Sequence, residues 1–149
     1  MGLKVYLSGE IHTDWRDQID DACDGLDVTY DGPVTVHDAS DECGVAILGA
    51  EPNKYWHDHK GAMVNAIRTR KGIGDADVVV VRFGEKYKQW NAAFDAGYAS
   101  ALGKSLIILQ QPEHDHALKE VDAAALAMTR TPQEVAQILR YVLTSKLPT

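Results

Sequence analysis

The chain has 149 residues, 15 of them basic and 22 acidic, for a formal net charge of −7. That balance offers no basic face to a phosphate backbone, which excludes a nucleic acid polymer as partner and favours small-molecule ligands. At 45% hydrophobic and 25% charged residues the composition is that of one globular domain over 1–149, and no apolar run approaches the roughly 20 residues of a membrane span.

Met1-Gly2-Leu3-Lys4 leads straight into a strand-like run with no long apolar leader, so no signal peptide and no membrane association are expected. Position 6 is Tyr, where myristoylation would need Ser or Thr. Cys23 and Cys43 stand apart, form no C-x-x-C and no zinc pattern, and read as reduced thiols of a cytoplasmic protein.

The first strand is predicted over Lys4–Ser8, ended by Gly9. A helix follows from about Asp14 to Asp24, with Trp15, Ile19, Ala22 and Cys23 at helical spacing and Thr13 or Asp14 as its cap. Asp27–Tyr30 is a short second strand, broken by Asp31-Gly32-Pro33. From His37 to Lys54 no period is legible: Asp38–Asp41 is polar, Val45–Leu48 apolar, and Glu51-Pro52-Asn53 turn-like. A second helix spans Trp56–Lys71, stopped by Gly72 and Gly74. Four consecutive valines, Val78–Val81, make Asp77–Arg82 a strand buried on both faces. A third helix runs from about Gln89 to Leu102, ended by Gly103, and Ser105–Leu109 is another buried strand. Ala124–Met128 is a weaker final strand, and Pro132 opens a last helix to about Leu143. Alternating strands and helices imply right-handed crossovers and a parallel sheet. The expected fold is a three-layer α/β/α sandwich, flavodoxin-like, with a five-stranded parallel sheet. Ligands of such sheets bind at the carboxyl ends of the strands, which nominates the loops Gly9–Trp15, Asp31–Asp41 and Phe83–Asn91.

Phe83-Gly84-Glu85-Lys86-Tyr87-Lys88-Gln89-Trp90-Asn91 holds three aromatics among amides and charges, chemistry that suits a flat heterocycle. Asp95 falls in the first turns of the following helix, where the dipole favours its ionised form. An ionised, well-held carboxylate is what a nucleophile at a sugar carbon needs. Helix starts also carry Asp for dipole reasons alone, so spacing leaves both roles open. The loop Ser8-Gly9-Glu10-Ile11-His12-Thr13-Asp14-Trp15-Arg16 could hold a phosphate or carboxylate on backbone amides, with Glu10 and His12 as acid/base groups. It contains neither a dinucleotide fingerprint nor a P-loop. Arg68-Thr69-Arg70-Lys71 could hold one phosphate. His57-Asp58-His59 and His114-Asp115-His116 have i, i+2 spacing rather than the helical zinc spacing and read as solvated turns, so no metal and no cofactor are expected.

Three blocks together form a familiar pattern: Val5-Tyr6-Leu7-Ser8-Gly9, then Ala76-Asp77 before the valines, then Phe94-Asp95-Ala96-Gly97-Tyr98-Ala99 with Ala101, Gly103 and Lys104. They resemble the nucleoside 2-deoxyribosyltransferase-like superfamily. Tyr6–His12 with Trp15-Arg16, and Phe83–Asn91, resemble more narrowly its YtoQ-like family, over nearly the whole chain. The resemblance implies a flavodoxin-like fold, a nucleoside or nucleotide ligand, and a homo-oligomer. It places Asp95 where the transferases have a nucleophilic glutamate, and matches Tyr6 and Gly9 to their first-strand motif. Three departures stand out. Asp95 is one methylene shorter, and a shift of about 1 Å can cost about a hundredfold. Gln89-Trp90-Asn91 replace an aspartate near the sugar, and Arg68-Thr69 replace a base-orienting one.

The sequence reading is thus an enzyme of N-glycosidic bonds, hydrolase or deoxyribosyltransferase-like. Asp95 is its nucleophile, Glu10, Glu85 or His12 assist the leaving base, and Phe83, Tyr87 and Trp90 shape the base pocket. Tyr6, Gly9, Trp15, Arg68, Gly84, Gln89 and Asn91 complete the substrate-binding set. The alternative is a non-catalytic binder or sensor of a nucleotide-like metabolite, which keeps the pocket but not the chemistry.

Overall fold

A computed structural model describes residues 2–149; Met1, and with it the start of the leader reading, lies outside the described residues. Five strands, β1 (Leu3–Gly9), β2 (Val28–Asp31), β3 (Val78–Arg82), β4 (Ser105–Leu109) and β5 (Ala127–Thr129), form one parallel sheet in the order β2-β1-β3-β4-β5. Strand order reverses between β1 and β3, which pair from Val5 with Val78 to Gly9 with Arg82.

Alternation along the strands builds two cores. Val5, Leu7, Val78, Val80, Ile107 and Leu109 face α1 (Trp15–Ala22) and α6 (Pro132–Thr144), packing with Trp15, Ile19 and Leu139. Tyr6, Val79, Val81, Leu106 and Ile108 face α3 (Lys54–Asp75) and α4 (Trp90–Ala101), packing with Ile73, Ala92, Ala96 and Ala99. Each such Val, Leu or Ile contributes about 1.5–3 kcal/mol on full burial. The three-layer sandwich is as expected.

The local corrections have physical causes. His37–Leu48 is a helix, α2. It carries no apolar stripe because it packs on α3 rather than on the sheet, and Ile47 and Leu48 remain exposed. α3 does not stop at Gly72 but runs on to Asp75. Gly72 is buried there because a Cβ would come within 2.5 Å of the Tyr6 ring: it is a close-packing glycine, not a terminator. A short helix, α5 (Lys119–Ala123), occupies part of the stretch read as loop. Neither Thr13 nor Asp14 caps the α1 backbone: Asp14 accepts from Gln18 Nε2 at 2.7 Å, and the Thr13 hydroxyl donates to Glu10 Oε2 at 2.6 Å. At α6 the sequence signal holds, with Pro132 in the first turn and Thr131 Oγ1 accepting from Glu134 N at 3.2 Å.

α2 and α3 cross backbone to backbone at Gly44 and Gly61. A Cβ on Gly44 would lie 2.4 Å from Gly61 N and 2.6 Å from the Lys60 carbonyl carbon. These are main-chain atoms that cannot step aside, so Gly44→Ala is expected to destabilise the protein by about 1–3 kcal/mol. Denaturant unfolding reads this directly, and an unchanged midpoint would contradict the close crossing.

Candidate active site

At the carboxyl ends of β1 and β3, beside the reversal of strand order, lies an open cavity of about 600 Å³. This is where a doubly wound sheet binds its ligand. Gly9, Glu10 and His12 line it from the β1–α1 loop, and Tyr87, Gln89, Trp90 and Asn91 from the loop into α4. His37, Ser40 and Asp41 of α2, with Asp58, Asn65, Thr69 and Arg70 of α3, form the opposite wall. Of this wall the sequence leaves only α2 unread. His37, Ser40 and Asp41 fall within the nominated Asp31–Asp41 loop, and Thr69 and Arg70 within the stretch expected to hold a phosphate; Asp58 and Asn65 of the expected helix α3 are additions to the predicted set.

Asp95 reaches the cavity from α4. It is the sixth residue of that helix, past the first turn where the dipole acts. Burial pushes its carboxyl above the usual carboxylate range, opposed by a hydrogen bond that Ser8 Oγ donates to Oδ2 at 2.7 Å. The expected dipole-stabilised carboxylate is therefore replaced by one whose charge is disfavoured by burial and supported by one hydroxyl.

Glu10 lines the cavity but is already committed. Its side chain is 3% exposed and pairs with Arg82 Nη1 at 2.8 Å. It also accepts from the Thr13 hydroxyl and the His12 N–H. Burial opposes its ionisation, yet the Thr13 and His12 hydrogen bonds and the Arg82 charge outweigh it and hold the carboxyl below its ordinary value. The loop amide proposed for an incoming anion thus already serves an internal carboxylate. Arg16 fixes the same loop, donating to the carbonyls of Leu7 at 3.0 Å and Glu10 at 2.6 Å. Burial lowers the Arg16 guanidinium to about 10.

The remaining predicted residues divide. The His12 and Tyr87 rings meet at 5.0 Å and join the two loops. Gln89 Oε1 accepts from Gly84 N at 2.8 Å, which folds the aromatic loop back on itself. Trp90 is 76% exposed, with Lys88 Nζ 5.7 Å from its ring centre. Six residues do not line the cavity. Phe83 and Tyr6 belong to the core beneath it. Tyr6 Oη is buried without a hydrogen bond of normal geometry, and burial raises the phenol, with Thr69 opposing and Asp95 adding to the rise. Trp15 is core, its Nε1 donating to the Glu10 carbonyl at 2.8 Å. Arg68 turns to Asp31, 3.6 Å away, and to the Gly32 carbonyl. Gly84 is buried against Glu10, and Glu85 is exposed and lies outside the cavity lining. Of the acids expected to assist a leaving base, only His12 is both in the cavity and free of a side-chain ion pair.

Among the described residues no group of three or more His, Cys, Asp or Glu could hold a metal ion. His57 and His59 lie on α3, not in a turn: His57 pairs with Glu42 at 3.1 Å and His59 with the Tyr55 carbonyl at 2.7 Å. No helix among the described residues is long and apolar enough to cross a membrane. Both cysteines are free, Cys23 buried and Cys43 partly so.

Comparison with known proteins identifies the fold and the family. The CMP N-glycosidase BcmB of Clostridium botulinum shares the fold, with a TM-score of 0.52 at 15% identity over 91% of this chain and 97% of that one. The Bacillus subtilis (strain 168) protein named Uncharacterized protein YtoQ is 42% identical over 144 residues, 95% of this chain and 97% of its own length. A sequence model described as nucleoside 2-deoxyribosyltransferase YtoQ matches residues 6–143, and the chain belongs to that family.

Proposed function

We propose that the protein breaks the N-glycosidic bond of a nucleoside or nucleotide, as a hydrolase or a deoxyribosyltransferase-like transferase, with Asp95 as carboxylate nucleophile. One observation carries this reading: Asp95 is a half-buried carboxylate reaching a nucleoside-sized cavity at the strand-order reversal. Family membership supports a nucleoside-type ligand, and the CMP N-glycosidase is a precedent on this fold for a nucleotide. In the first half-reaction an Asp95 oxygen bonds to the anomeric carbon as the carbon–nitrogen bond breaks, and the base leaves with the electron pair. His12 supplies the proton the base takes up. Water, or a second base, then displaces the carboxylate. Tyr87 and Trp90 offer ring faces to the base, and Arg70 is a cavity cation available to an anionic substituent.

Incubation with a panel of nucleosides and nucleoside monophosphates, with free base followed chromatographically, is expected to show release from at least one. No turnover across the panel would sink the catalytic reading.

The ion-paired Glu10 and the outlying Glu85 favour a second reading, a binder or sensor of a nucleotide-like metabolite. It predicts ligand-induced thermal stabilisation that survives Asp95→Asn, with no product formed.

A further inference from the structure

We propose that Ser8 is the positioning residue of the site: from β1 it holds one oxygen of Asp95 and leaves the other to attack. This rests on the catalytic reading above and assigns a role to a residue 87 positions from Asp95 in sequence.

Ser8 is fully buried, and it points to the same side of the sheet as Tyr6, toward α3 and α4. A hydroxyl there interrupts an apolar strand face and must be hydrogen-bonded to be tolerated. Its partner is Asp95 Oδ2, 2.7 Å away, a short charge-assisted bond. Asp95 Oδ1 has no hydrogen-bond partner among the described residues. The carboxylate is thus pinned by one oxygen to the central sheet rather than to a loop, and its rotation about the terminal bond is restrained. Precise placement of a reacting group on a rigid element is worth large rate factors.

The arrangement also survives the chemistry. When Oδ1 bonds to the anomeric carbon and the carbon–nitrogen bond breaks, Oδ2 becomes the ester carbonyl oxygen. It still accepts the Ser8 proton, so no donor has to move. When water attacks the same carbon and the carbon–Oδ1 bond breaks, the electron pair returns to the carboxylate and the water's proton passes to solvent or to His12, which gave up its own proton to the leaving base in the first half-reaction.

The groups around Asp95 leave this role to Ser8. Tyr6 faces it from β1 and Tyr98 lies on its own helix. Arg70 and Asp58 line the cavity from α3, His37 and Asp41 from α2, and His12 and Glu10 from the β1–α1 loop, with Tyr87 and Lys88 from the loop before α4. Of the groups near it, the Ser8 hydroxyl is the one that opposes the upward effect of burial on Asp95, in part.

Ser8→Ala should lower kcat by about 10- to 100-fold with KM little changed, because ground-state contacts to the substrate remain. The acidic limb of the pH profile should move to higher pH, and the carboxyl titration of Asp95, followed by carbon NMR without substrate, should move the same way. Ser8→Cys, similar in size but a weaker donor, should fall between the two. In an Asp95→Asn background Ser8→Ala should add nothing further. A folded Ser8→Ala protein with wild-type kcat and an unmoved Asp95 titration would overturn the role of Ser8 alone. Absence of turnover by the wild type would instead overturn the catalytic reading, and the positioning role of Ser8 with it.

Discussion

Asp95→Asn should reduce base release by a factor on the order of 10⁴ or more, the scale of removing a nucleophile, while raising the thermal midpoint at neutral pH. The two effects have one cause. Burial raises the folded-state pKa of the Asp95 carboxyl above its ordinary value, so folding favours the protonated acid. Stability tied to this group is complete below the unfolded pKa of about 3.9 and is lost as pH rises through the higher folded value. Asn cannot ionise, and its amide oxygen can still accept from Ser8 Oγ. The variant's advantage should therefore grow as pH rises through that window, level off above it, and vanish in acid. Paired activity and thermal melts at several pH values check this. A variant less stable than the wild type at neutral pH would mean that the carboxylate is better solvated than its burial implies.

Arg82→Met should cost about 3–5 kcal/mol, because it leaves the Glu10 carboxylate buried without its counter-charge. Glu10 would keep only the Thr13 hydroxyl and the His12 N–H. Its folded-state pKa is depressed in the wild type, so its contribution is present above the unfolded value of about 4.3 and is lost as pH falls through the folded one. Replacing both members, as Glu10→Met with Arg82→Met, should recover most of the loss, since an apolar pair of similar volume leaves no charge unpaired. Denaturant unfolding of the three variants checks the ordering. A neutral single variant would show that the two remaining hydrogen bonds suffice. The same pair bears on the site: Glu10 holds the shape of the loop bearing His12, and it is not free to protonate a leaving base.

What was legible in the sequence follows from how each element is stabilised. The four valines of β3 and the Ser105–Leu109 run are buried on both faces, so they read as continuous apolar strands. Pro132 announces α6 by local chemistry alone. α2 is different. It is held by a glycine crossing with α3 and leaves its large apolar residues in solvent, so no period marks it. Gly72 carries the usual helix-stop identity, yet its meaning is set by Tyr6, a residue on another element. At the site, Asp95 and the aromatic loop could be placed because strand, loop and helix are consecutive. The hydroxyl that holds Asp95 and the arginine that captures Glu10 could not, because one pairing joins β1 to α4 and the other joins the end of β3 to the loop after β1, in each case between residues far apart in sequence. Phe83 illustrates the same limit, since an aromatic beside a loop has the same spelling whether it faces the cavity or the core beneath, while Tyr6, taken from the resemblance's first-strand motif, lies in that core too.

In the proposed reaction Asp95 forms a bond to the sugar. Acid-quenching the wild-type protein during turnover of whichever nucleoside or nucleotide it cleaves, then mapping its peptides by mass spectrometry, tests that most directly. The account predicts an added glycosyl mass on the peptide containing Asp95, and none in Asp95→Asn. Base release that continues undiminished in Asp95→Asn, with no adduct on the wild-type peptide, would contradict it.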